Sequence, residues 1–114
     1  MKEVKNQGAQ GDCLFVRVDK IPSDAKVVQE GGRIIVAHSE TGHHHAIDAL
    51  GRDVVMHRVE RDPFTCYLQI ATDHADVVHH RPFDTHETLR LGQGIWMARR
   101  QREYSPAGWR MVQD

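Results

Sequence analysis

The sequence predicts an antiparallel all-β domain, either a small barrel or a jelly roll. Roughly eight or nine short runs of alternating or β-branched residues are separated by turn signals at regular spacing. No apolar pattern of helical period persists for three turns, and no repeat, low-complexity stretch or linker divides the chain. Its 114 residues are one domain's worth, so residues 1–114 are read as a single domain with one core.

The elements follow in order. Residues 13–18, Cys-Leu-Phe-Val-Arg-Val, alternate as a strand, and Ile21-Pro22-Ser23-Asp24 breaks it. After Val27 and Val28 a tight Gln29-Glu30-Gly31-Gly32-Arg33 turn leads into the β-branched run 34–38. Thr41-Gly42-His43-His44-His45-Ala46-Ile47 comes next, with a strand continuing through Ala49. Gly51-Arg52-Asp53 reads as a turn and 54–59 as the strand returning from it, before Asp62-Pro63 breaks the chain and 65–71 extends again. Segment 76–83 is extended with Pro82 near its end, 86–91 follows, and Gly92-Gln93-Gly94 reads as a turn into the strand 95–104. Ser105-Pro106-Ala107-Gly108 then turns the chain toward Trp109, Met111 and Val112.

Fifteen basic and sixteen acidic residues give a net charge of -1, which argues against nucleic acid or an anionic membrane as partner. The first residues lack the apolar core of a secretion signal, and no run reaches membrane-spanning length. A soluble chain is expected, cytoplasmic unless a signal has been removed. Cys13 and Cys66 have neither redox nor zinc-knuckle spacing; a disulfide and two buried thiols are both open.

Histidine is the outlier, at nine residues concentrated in the middle of the chain. On an extended backbone His43 and His45 share a face, because strand side chains alternate, and that face is the inner one if Ile47 and Ala49 line the core. They are candidate metal ligands, with Gly42 allowing a bend before them. A third ligand must come from elsewhere. His79 and His80 lie one on each face of their segment, whereas His86 would need a bulge to turn inward.

Thr41-Gly42-His43-His44-His45-Ala46-Ile47, His86 ahead of Leu89-x-Leu91-x-x-Gly94-x-Trp96, and Arg100-Gln101-Arg102-Glu103-Tyr104 together resemble a family of small bacterial and phage proteins. Its pattern is T-G-H-x-H-A-I, then H-E-E-H, then R-Q-R-E-Y. The resemblance covers nearly the whole chain and implies His86 as third ligand, with His80 as the alternative. Phe83 stands where the family has a further histidine. The H-x-H followed by a distant histidine is also similar to the cupins, jelly rolls that hold a metal inside a barrel, although Ala49 and Leu50 stand where their glutamate is usual. A single-domain chain of this length further resembles the copper-dependent cupins that cleave cellulose oxidatively.

Three imidazoles suit copper, zinc, iron or nickel, and affinity order favours copper. The expectation is therefore a copper-dependent oxidoreductase acting on a β-linked polysaccharide such as cellulose, extracellular if a signal has been removed. The alternatives are a zinc, iron or nickel cupin with a small-molecule substrate, a metal-binding module without catalysis, and an assembly module whose histidines are surface features. Arg100 and Glu103 are candidates for the shell around the metal ligands, and Tyr104 and Trp109 for substrate contact. Small barrels expose strand edges, so a homodimer is expected.

Overall fold

The computed structural model describes residues 1–37, 44–79, 86–105 and 108–111; at 86, 102–105 and 108–111 the description extends to the backbone only. The strands are β1 (Lys2–Val4), β2 (Gln7–Gln10), β3 (Cys13–Val18), β4 (Lys26–Glu30), β5 (Gly32–Ala37), β6 (His45–Ala49), β7 (Val54–Arg58), β8 (Thr65–His79), β9 (His86–Arg100), β10 (Arg102–Ser105) and β11 (Gly108–Met111). No helix occurs among the described residues.

β8 and β9, fifteen residues each, form an antiparallel pair on which the large sheet is built. The first half of β8 pairs with β7 and its end with β6. On the far side, β9 pairs with β3 along 95–100 and with β1, in parallel, along 89–91. β6 and β7 both run antiparallel to β8, so they are two parts of one bent strand. β5 pairs with β6 and β4 with β7, which makes β4 and β5 a second bent strand.

The bends line up across the sheet. They fall at Gly31 between β4 and β5, at Leu50–Asp53 between β6 and β7, at Ala71–Asp73 in β8 and at Gly92–Gly94 in β9. At the β8 bend a four-residue step, Ile70 to His74, spans the two-residue step from Gly94 to Gly92 on β9. Such an excess bends a strand. Gly31 has φ +67, and a Cβ there would run into the Gly51 carbonyl oxygen, so two corners touch at a point where only glycine fits.

The sheet path runs β2-β3-β9-β8-β6-β5, and among the described residues its ends do not pair, so the sheet is open. This corrects the expected barrel or jelly roll and removes the architectural basis of the cupin resemblance. The error has one cause. The glycine turns at 29–33, 51–53 and 92–94 look like hairpin reversals in sequence, yet each is a corner where a strand continues in its original direction. Three of the reversals that would have closed a barrel do not exist.

Folding the sheet along the bends brings its inner faces together around one core. Trp96, Phe15 and Leu68 from one half and Ile34, Ile47, Leu89, Leu91 and Val77 from the other are fully buried. Each such side chain contributes about 1.5–3 kcal/mol through burial. Arg58 on β7 reaches across to donate to the Val36 carbonyl on β5 at 3.4 Å. Cys13 and Cys66 lie buried on β3 and β8, the two strands flanking β9. Two strand spacings of about 4.8 Å put them beyond disulfide reach.

Gly31→Ala is expected to lower stability by more than about 2 kcal/mol, and Gly51→Ala by about 1 kcal/mol. Both glycines have positive φ, +67 and +51, but only Gly31 faces a clash. Equal losses in urea denaturation would contradict the corner contact. Burial pushes the Cys66 thiol up to about 11 from its ordinary 9.0. The folded state therefore holds that proton longer than the unfolded chain does, and the stability it contributes is lost as pH rises from about 9 toward 11. At pH 8, Cys66 is expected to resist thiol reagents in native protein and to react on unfolding; rapid native labelling would contradict this.

Candidate functional site: a sealed histidine cluster

The tight β2–β3 hairpin turns through Gly11 and Asp12, with Gly11 at φ +57 in the first turn position, where a two-residue turn favours glycine. The turn sends Asp12 inward, only 2% exposed, and its carbonyl accepts from the Gln101 N–H at 2.8 Å. The Asp12 carboxylate accepts from Arg100 Nε at 2.6 Å and lies 3.0 Å from His45 Nε2. His45 comes from the start of β6, on the face it shares with buried Ile47, and is 1% exposed. On the ring's other side Nδ1 is 2.8 Å from Gln10 Oε1.

The Gln10 amide orientation decides what the ring does. Its Nε2 donates to the carbonyls of Val77 at 2.8 Å and Glu87 at 3.0 Å. Flipping the amide would set an acceptor against two acceptors, so Oε1 is the atom that faces His45. Nδ1 therefore donates to Gln10, and Nε2 faces an Asp12 carboxylate oxygen. Both ring nitrogens are thus engaged, one by an amide oxygen and the other by a carboxylate that Arg100 also neutralises. His79, fully buried on β8, stacks on the His45 ring with centroids 3.9 Å apart.

This geometry corrects the metal reading. A ligand nitrogen must turn a lone pair toward the metal, and both nitrogens of His45 are already engaged by Gln10 and Asp12. Among the described residues no three His, Cys, Asp or Glu side chains are grouped to hold a metal ion. The copper site, its zinc, iron and nickel alternatives, and the oxidoreductase reading that depended on them are therefore withdrawn, together with the resemblance to copper-dependent cupins.

The other candidates fall as follows. His43 and His80 lie outside the described residues. The His86 backbone sits opposite His79, which in turn sits opposite His45, so the three residues form one row across β6, β8 and β9. One extra β9 residue between the Val77–Leu89 and His79–His86 pairs supplies a bulge just after His86; its side chain is outside the description. Arg100 touches Asp12 rather than His45. For Glu103, Tyr104 and Trp109 the backbone alone is described, with Tyr104 opposite Trp109 in the β10–β11 hairpin.

Sequence reasoning missed Gln10 and Asp12 as members of the cluster and weighed His79 only as a competing third ligand. A signal existed for the first two: Gly11-Asp12 is a hairpin dipeptide immediately before the strand 13–18. Its flanking residue and second turn position could have been recognised as inward-pointing polar groups in need of a partner.

Gln10→Glu is expected to cost at least about 2 kcal/mol, because it replaces two donors with a carboxylate facing two carbonyls. Asp12→Ala is expected to cost about 3–5 kcal/mol by removing the buried carboxylate that Arg100 pairs with and His45 faces. Either loss lowers Tm by on the order of 10 °C or more. Unchanged melting of Gln10→Glu would show that the amide is not held as described.

No curated protein and no solved structure matches the chain. A family model matches residues 9–101, from the end of β2 to just past β9, and takes in all members of the buried cluster. The chain belongs to that family, the domain of unknown function DUF8820.

Proposed function

We propose that this domain is a non-catalytic interaction module that takes an extended protein segment on the free edge of β4. The observation that carries the reading is β4 itself. Among the described residues it pairs with β7 on one side only, and Val27 and Val28 on it are 51% and 52% exposed. An edge strand presents unpaired backbone donors and acceptors, and exposed apolar side chains on it gain by being covered.

The sealed cluster supports the same reading. Asp12, His45 and His79 are each at most 2% exposed, and the hydrogen bonds of His45 and Asp12 run inside the fold. A general acid, base or nucleophile has to reach its substrate, and these groups do not. Arg61 and Asp24, an exposed ion pair, lie in the turns leading into β4 and out of β7 and give the β4 edge a polar surround.

The test is site-specific photocrosslinking in the host cell. A crosslinking residue at Val28 is expected to give a discrete protein adduct, while the same residue at Glu87, exposed on β9, gives none. No adduct from Val28, or the same adducts from both positions, would overturn the reading.

A further inference from the structure

We infer that the segment taken up by β4 is the β4 strand of a second copy, so that the domain forms a two-fold dimer by continuing its own sheet. This rests on the preceding reading of β4 as a docking edge and names its occupant. The strand reads Lys26-Val27-Val28-Gln29-Glu30. Paired antiparallel with itself about Val28, it sets Lys26 opposite Glu30 of the other copy, Val27 opposite Gln29, and Val28 opposite Val28. Both ends then carry a matched charge pair, and the exposed valines lie at the centre.

Opposite charges directly across an antiparallel pair stabilise it, and like charges in those positions oppose it. A two-fold operation generates the second Lys–Glu pair from the first, and the assembly closes at two copies with no free β4 edge. The strand's irregularity fits this role. One extra residue between Val27 and Gln29 interrupts the register with β7 and leaves two successive valines exposed. Lysine and a bulge on an edge deter pairing with unmatched strands. A partner with an acid opposite Lys26 meets no such penalty, and β4 itself supplies one.

Glu30 also lies 3.5 Å from Arg52 of its own chain, but Arg52 is 83% exposed. Such a pair is screened and weak, so Glu30 is able to exchange it for the lysine across the dimer axis.

The test is sedimentation velocity over a concentration series, run on the intact chain with charge variants. Wild type is expected to pass from monomer to dimer, Lys26→Glu to dissociate roughly tenfold more readily, and the double variant Lys26→Glu/Glu30→Lys to recover most of the loss. Lys26 and Glu30 are exposed, and circular dichroism checks that each variant folds. A monomer at every concentration, or a dimer indifferent to both variants, overturns the inference. The Val28 crosslink separates the two readings. An adduct of twice the chain mass supports the dimer, an adduct with another protein leaves the docking edge standing without it, and no adduct removes both.

Discussion

The buried carboxylate of Asp12 is the contact on which the rest of the structure depends. A sheet bent across its middle has two inner faces that pack only while the halves stay closed, and among the described residues the ends of its strand order do not pair with each other to close it. Asp12 rides on the β2–β3 turn, which belongs to one half through β3 and the end of β9. Through His45 it grips β6, and through its neighbour Gln10 it holds the Val77 and Glu87 carbonyls of the other half. Arg100 completes the charge balance from the first half. Burying an ion pair is costly, and it is worthwhile here because four groups satisfy one another; removing any one leaves a charge or a donor stranded in the core.

The strands and the inward direction of His45 were legible in the sequence. Alternation located 13–18 and 54–58 closely, and His45 shares its parity with Ile47, an evident core residue. The closure of the sheet was not legible. A glycine that permits positive φ has the same local signature in a hairpin and in a corner. Which one forms depends on whether the chain beyond it pairs with the strand before it or with a third strand, and that information is nonlocal. Gly31 shows this well, since its requirement comes from Gly51 twenty residues later.

The histidine cluster was misread for a related reason. Alternation brings two histidines to one face but is silent about the oxygens waiting there. Gln10 and Asp12 stand 35 and 33 residues before His45. An imidazole that meets acceptors on both sides becomes a donor and a packing element, whereas the same ring with a free lone pair becomes a ligand. The identity of its neighbours, rather than the spacing of the histidines, separates those outcomes. With the polar interior occupied in holding the fold, the proposed recognition falls to the surface, where among the described residues β4 combines an unpaired edge, exposed valines and self-complementary charge.

A double-mutant cycle between Asp12 and His45, measured by urea denaturation of Asp12→Ala, His45→Ala and the pair, tests the clasp most directly. The account predicts a coupling energy of about 1–3 kcal/mol, with the double variant less destabilised than the sum of the single ones. Additive losses would contradict it, because they would mean that the two side chains stabilise the fold independently and that nothing passes between them to hold the halves together.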